Sequence, residues 1–398
     1  MRRMLLPPPL RIFTVRCDER ILKAAMDTES ENREYLSEQL ITYLGNKRSL
    51  LPFIGEAVSS VQKKLNKPKL RFFDVFSGSG VVSRFFKQYA SYLAVNDCEL
   101  YSRIINTCYL SNSYERDMVE LRGYSYILAD RIEDCEFSGE WLHGFISRLY
   151  APKDDEHIQK HERAFYTSRN AAYLDTARSI IEEFPEHIRP FFIAPLLAEA
   201  SVHANTAGVF KGFYKNRDTG IGEFGGKNGD ALSRITGNIQ LDFPVFSNYD
   251  CETLICQNDA NELVPSVPEV DIAYLDPPYN QHPYGSNYFM LNLIAENKAP
   301  VKPSDVSGIP SDWNRSVYNK RSSAQQALFR LIDDIKTKFI LLSFNSEGFI
   351  SKDEIVNGLK KRGKLDIFEA PYTVFRGSRN LHKRDIRVTE YLFLLEKK

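Results

Sequence analysis

Asp276-Pro277-Pro278-Tyr279 sets a carboxylate, a proline-blocked carbonyl and an aromatic ring side by side. It follows Val270-Asp271-Ile272-Ala273-Tyr274-Leu275, an apolar run that reads as a buried strand. Two prolines cannot continue a strand: each lacks an N–H, and each holds the residue before it extended. The chain must therefore open into a rigid turn at the strand's carboxyl end. Two acceptors beside a stacking surface are what is needed to hold an exocyclic amine on an aromatic base. The same four residues would also make an ordinary strand-to-loop turn, since Asp and Pro both favour turns.

The elements that must position this corner form an alternating pattern. Leu70 to Phe76 reads as a buried strand, Ser77-Gly78-Ser79-Gly80 as a tight turn and Val81 to Tyr89 as a helix. Ser91 to Val95 is the next strand, ending at Asn96-Asp97, and a helical stretch runs from Glu99 to Leu110. This is the opening of a Rossmann-like, doubly wound α/β sheet. Strands resume at Thr253–Cys256, before Asp276, at Phe339–Phe344 and at Val388–Leu395. From 105 to 249 the strand rhythm is lost. That stretch reads as a separate inserted domain, first helical and then glycine-rich, with Val209 to Lys215 as one arm of a ribbon and Asn216 to Gly220 as its turn. The expected organisation is an extension over 1–39, a cofactor-binding half over 40–104, the insertion over 105–249 and an active-site half over 250–398. The extension is expected to be poorly packed.

Ligands of open α/β sheets bind beyond the carboxyl ends of the strands. The Phe76-Ser77-Gly78-Ser79-Gly80 turn lets a ligand approach the backbone, but it lacks the third glycine of a dinucleotide fingerprint and the lysine of a P-loop. Asp97 is placed to accept hydrogen bonds from ribose hydroxyls. Upstream, Tyr43-Leu44-Gly45-Asn46-Lys47-Arg48 precedes an apolar helix. A lysine near a helix amino terminus is mildly unfavourable unless an anion is near, so a carboxylate ligand would suit Lys47; a solvated surface pair is the plainer reading.

The totals are those of a globular protein: 398 residues, 43% hydrophobic, 26% charged, with 52 basic and 52 acidic residues. Such a length suggests two domains or a large insertion. The zero net charge does not advertise nucleic-acid binding, yet Trp313 to Ile332 carries Arg315, Lys320, Arg321 and Arg330 without an acid. Arg376, Arg379, Lys383, Arg384 and Arg387 face only Asp385. The six cysteines lack metal-ligand spacing, so a reduced cytoplasmic protein without a structural metal is expected. Three prolines interrupt the amino-terminal leucines, which argues against a signal peptide, and no run is long enough to span a membrane.

The order Tyr43–Lys47, Phe76–Gly80, insertion, Asp276–Tyr279 resembles the Dam-type DNA adenine methyltransferases, above all the modification enzymes of restriction–modification systems. The resemblance runs from about residue 40 onward. It implies that Tyr43, Lys47, Phe76, Gly78, Gly80 and Asp97 bind S-adenosylmethionine, with Lys47 near the methionine carboxylate. Asp259 lies where the family often places an acid near the cofactor's adenine, and Asp276 is expected to border the cofactor as well. Asp276, Pro277, Pro278 and Tyr279 match the catalytic tetrad, and the glycine-rich ribbon matches the target-recognition hairpin. Double-stranded DNA is the implied partner, contacted by Lys211, Lys215, Arg217, Arg315, Lys320 and Arg321; a cognate endonuclease would share the site without stable binding. Many relatives have Gly-Gly where this chain has Gly45-Asn46, and Asn46 is expected to carry the left-handed turn. Asn280 to Tyr284 is expected to frame a flipped base, with His282 given no proton-transfer role. Competing readings are a cytosine-amine, RNA or protein-amide methyltransferase, and a DNA-binding module without catalysis; Asp rather than Ser heading the tetrad favours adenine.

Overall fold

Runs such as Val270–Leu275 and 339–344 are apolar almost throughout, as strands covered on both faces must be. The computed structural model describes residues 11–14, 31–37, 40–226, 229–373 and 387–398. Its strands are β1 (Arg11–Thr14), β2 (Leu70–Asp74), β3 (Ala90–Asp97), β4 (Glu252–Gln257), β5 (Val270–Leu275), β6 (Thr337–Asn345), β7 (Gly363–Thr373) and β8 (Arg387–Lys397). They form one sheet in the order β1-β7-β8-β6-β5-β2-β3-β4. All neighbours pair in parallel except β8, which runs antiparallel to both β6 and β7.

From β2 the chain winds outward through β3 to β4. It then returns to the other side of β2 as β5 and winds the opposite way into β6. The direction reverses between β2 and β5, which opens a crevice at their carboxyl ends. Asp74 pairs with Tyr274 across that seam, so the glycine turn after β2 and the Asp-Pro-Pro-Tyr corner after β5 leave the sheet side by side. This is the expected Rossmann-like α/β architecture.

The helix Leu100–Tyr109 runs unbroken through residue 105. The insertion's ends meet just beyond it. Asn112 donates from Nδ2 to the Cys251 carbonyl (2.8 Å) and accepts from the Cys251 N–H at Oδ1 (3.1 Å). Next to it the Ser113 N–H donates to Asp250 Oδ1 (2.7 Å). One fully buried amide thus imitates a rung of sheet and clasps entry to exit. Inside the clasp lie the helices Met118–Ser138, Ser168–Glu182 and Pro190–Val202. Their apolar residues continue the core formed by Leu100–Tyr109 and Phe289–Glu296. The segment therefore packs onto the sheet's own helices and shares their core.

Three local expectations need correction. The extension is not loosely packed where it is described: Tyr35 and Leu36, on the short helix Arg33–Ser37, are buried. Tyr35 donates to the Tyr109 carbonyl (2.8 Å), and the Glu31 carboxylate accepts from Ser247 and Asn248. The glycine-rich ribbon reduces to one bridge, Lys215 with Gly222, flanked by Asn216 N–H to Ile221 O (2.8 Å) and Glu223 N–H to Tyr214 O (3.0 Å). Glycines supply no side chains to pair across strands, so two full arms do not form. Strand β7 had no counterpart in the expected pattern.

Removing the clasp should be costly, because Asn112→Ala leaves both backbone groups of buried Cys251 without these partners. The expected loss is about 2–4 kcal/mol of unfolding free energy, read from the urea midpoint.

Candidate active site

The crevice collects the chemistry-bearing residues from distant parts of the chain. Tyr43, Lys47, Phe76, Gly78, Asp97, Asp259, Asp276 and Pro278 all line it, as does Arg315 from the basic stretch expected on DNA. Gly80 sits behind the lining as the cap of helix Val81–Lys87. Pro277 is buried beside it, while half-buried Tyr279 stands edge-on to Phe344 (5.9 Å) with its carbonyl held by the Phe349 N–H (2.8 Å).

The glycine turn is built around an aromatic stack. Tyr43 stacks on Tyr284 (5.0 Å) and on Tyr288 (4.8 Å), and its hydroxyl meets that of Tyr101 at 3.2 Å. The edge of its ring lies against Gly78, where φ is +52° and a Cβ would come within 2.7 Å of Tyr43 Cε1. The Gly78 N–H donates to Asp97 Oδ2 (2.8 Å), whose other oxygen accepts from the Glu99 N–H (2.9 Å). Asp97 thus fastens the turn and still has lone pairs to offer a ligand.

Upstream, the left-handed residue is Gly45 (φ +74°) and not Asn46. Asn46 Oδ1 instead accepts from the Arg48 N–H (2.8 Å), a local turn bond that asparagine forms readily. This bend drives Lys47 inward, to 4% exposure, and so excludes the solvated surface pair. The anion that the sequence demanded is supplied by the protein: Lys47 Nζ lies 3.3 Å from Asp276 Oδ1 and 2.7 Å from Glu390 Oε1. These neighbours outweigh burial and hold the ammonium well above its usual pKa. Burial dominates at Asp276, and its carboxyl is pushed up to about 6 despite Lys47.

Several lining residues were not anticipated from sequence. Asp74, fully buried at the end of β2, accepts from Ser83 Oγ (2.6 Å) through Oδ2, but its Oδ1 has no partner. Burial pushes its carboxyl up to about 7. Glu99 is also pushed up to about 7 by burial, and its Oε2 accepts from the amides of Asn292 (2.5 Å) and Asn314 (3.1 Å). Tyr318 stands edge-on to Phe76 (5.1 Å) and donates to Asn261 Oδ1 (2.8 Å), beside Asp259, the cap of the short helix Ala260–Leu263. An acid in a run as apolar as β8 was the available signal for Glu390, since buried charges are paired. The sequence held no comparable signal for Tyr318.

Of the residues expected on DNA, Lys215 lies over the Phe213 ring (4.8 Å), Arg321 over Phe349 (5.0 Å) and Arg315 over Trp313 (4.3 Å). Lys211, Lys215, Arg217, Arg315, Lys320 and Arg321 are all exposed. The Phe210 N–H donates to the Asn287 carbonyl (2.7 Å), which brings the ribbon's base against the loop after the tetrad. Burial and the Lys211 charge lower the His282 pKa. Residues 376–386 of the second basic cluster lie outside the described residues.

The sequence from 43 to 358 matches the D12 class N6 adenine-specific DNA methyltransferases. The chain belongs to that family. It is 29% identical to the type II methyltransferase M.NlaIII of Neisseria lactamica over 365 residues, which is 90% of this chain and 99% of that protein. It is 29% identical to the modification methylase StsI of Streptococcus sanguinis over 372 residues, covering 89% of this chain but 52% of the relative. It is 26% identical to the type II methyltransferase M.CviAII of Paramecium bursaria Chlorella virus 1, over 89% of this chain and 98% of that one. The chain thus spans about half of the StsI enzyme and nearly all of the other two. As a member of the family it is an adenine-specific DNA methyltransferase.

At Gly78 packing and backbone constraints coincide. Gly78→Ala is expected to destabilise this methyltransferase by about 1–3 kcal/mol in thermal unfolding, since it combines a strained φ with a collision on the Tyr43 ring.

Proposed function

We propose that this methyltransferase binds S-adenosylmethionine in the crevice and methylates the 6-amino group of an adenine turned out of double-stranded DNA. The observation that carries this reading is that the carboxylate of Asp276 and the turn around Gly78 face one crevice, from adjoining strand ends. The lining also suits a cation. Asp74, Asp97, Glu99, Asp259 and Asp276 surround it, and the buried cation among them is Lys47. Asp74 Oδ1 is a buried carboxylate oxygen in the lining that still lacks a donor, as a ligand's ammonium would require. Asp97 would hold the ribose, and Asp259, with Phe76 and Tyr318, the adenine of the cofactor. Lys47 retains one N–H, beyond the two facing Asp276 and Glu390, for the methionine carboxylate.

The cofactor supplies an activated methyl group on a sulfonium. The residues must therefore align a weak nucleophile and oppose the charge it gains. Asp276 and the Pro277 carbonyl accept the two amine hydrogens, which turns the nitrogen's lone pair away from the ring. Asp276 then faces the positive charge developing on that nitrogen. Tyr279 stacks on the base, an interaction worth about 1–3 kcal/mol, against the few kcal/mol needed to unstack it from the duplex.

The segment clasped between Asn112 and Cys251 reads best as the target-recognition unit. Lys211, Lys215 and Arg217 on its ribbon would enter a groove, and Arg315, Lys320 and Arg321 would hold phosphates. Its relatives' roles suggest that the enzyme protects host DNA in a restriction–modification system, alongside an endonuclease that shares its site without binding it stably. Among the described residues no helix is long and apolar enough to cross a membrane. A cytoplasmic place, with the DNA, fits this role.

Asp276→Ala should bind the cofactor within a few-fold of the parent in calorimetry yet form no 6-methyladenine in duplex DNA; methylation by this variant would remove Asp276 from the mechanism. Because the carboxyl must be ionised to accept the amine hydrogens, the single-turnover rate of the parent is expected to fall as pH drops through about 6, the value burial gives Asp276.

A further inference from the structure

Lys47 has two carboxylate partners, and the tighter one is not in the tetrad. Glu390 Oε1 lies 2.7 Å from Nζ, against 3.3 Å for Asp276 Oδ1. Glu390 projects from β8 in an otherwise apolar run, 2% exposed, and the same oxygen accepts from Ser343 Oγ on β6 (3.0 Å). Charge balance does not require it. One ammonium and one carboxylate would already make a neutral pair, and an extra buried carboxylate is costly. Its presence turns the pair into a cluster of two acids and one base, with net charge −1.

We propose that Glu390 is a positioning residue for methyl transfer: it takes the shorter contact with Lys47, holds the ammonium back from Asp276, and leaves a net negative cluster facing the reacting amine. Without it, Lys47 would close on Asp276 as a direct ion pair and occupy lone pairs that must accept the amine hydrogens. The closed pair would also be neutral, and a neutral pair opposes developing positive charge less well than a cluster of net charge −1. This inference rests on the reading of Asp276 as the amine's acceptor.

The groups facing Asp276 come from every neighbouring element. Lys47 approaches from the segment before helix Leu51–Leu65, Glu390 from β8 and Asp74 from β2, along with the phenols of Tyr274, Tyr279 and Tyr284. Lys47 lowers the Asp276 pKa and Glu390 raises it. Neutralising Glu390 must therefore make Asp276 more acidic.

The test uses the full chain with Glu390→Gln, which keeps the shape and removes the charge. Two quantities are followed against pH: the single-turnover methylation rate, and, without cofactor, the carboxyl carbon resonance of Asp276, assigned by its loss in Asp276→Asn. The plateau rate is expected to fall about ten-fold or more. The acid limb and the resonance midpoint are both expected to move down by about one pH unit. An acid limb and midpoint that stay in place, even with a slower plateau, would show that Glu390 only supports the fold and would overturn the proposal. Should Glu390→Gln fail to fold by circular dichroism, Glu390→Asp carries the same test. Its shorter reach lets Lys47 close on Asp276, so the limb again moves down, by less, and an unmoved limb again overturns the idea. Activity retained by Asp276→Ala would sink the functional reading itself; an inactive Asp276→Ala with an unmoved Glu390→Gln limb sinks this inference alone.

Discussion

A single buried ammonium ties the candidate active site together. Lys47 arrives from the segment ahead of the sheet, Asp276 from the end of β5 and Glu390 from β8, and the three meet with Lys47 and Glu390 almost wholly out of water. An isolated charge could not remain ionised at such a site. Each group therefore depends on the others, and the three chain segments are held in register by the need to pair. The proline-locked corner fixes where Asp276 points, and the Gly45 bend fixes how Lys47 reaches it. The remaining features of the centre are arranged around this contact.

The charge balance of the crevice follows from it. With Lys47 already committed to two acids, the remaining carboxylates of Asp74, Asp97, Glu99 and Asp259 give the cavity a negative character that a zero net charge conceals. Burial raises the pKa values of Asp74 and Glu99 toward neutrality, which marks them as groups that would gain from a cationic ligand. A strip running from Asn314 to Asn319 roofs part of the cavity. Asn314 bonds to the Cys98 carbonyl (3.1 Å) and to Glu99, and Asn319 to the Asn280 carbonyl just after the tetrad (2.8 Å). The strip thereby joins the end of β3 to the proline-locked corner after β5.

Much of the scaffold was legible in the sequence because parallel strands buried on both faces leave continuous apolar runs. Val270–Leu275 matches its expected bounds, and the turn at Ser77–Gly80 lies where its glycines place it. Two strands, β1 and β7, were missed, and β7 is a half-covered one. Leu365 and Ile367 alternate with Lys364 and Asp366, and Pro371 sits within it, so its period-two signal was present but weak. The short helix holding Tyr35 was hidden for another reason: five residues show too little periodicity to separate a docked segment from a loose one. Within the site, Tyr43, Phe76 and the tetrad were legible as motifs. The Lys47–Glu390 contact joins residues 343 positions apart, and no local pattern encodes a partner at that distance.

The strand order carries a consequence for how the molecule comes to be folded. β8 is made after β7 yet lies between β7 and β6, and β1 reaches the sheet only by pairing with β7. Neither β1 nor β7 can join the rest of the sheet until β8 has been synthesised and has slotted in between β7 and β6. During translation the half from β4 to β6 can assemble first, while β1 and β7 await the strand that links them to it. The same late strand delivers Glu390. Completion of the sheet and arrival of the crevice's second acid beside Lys47 are thus one event, and a growing chain assembles its full charge cluster only when its fold closes.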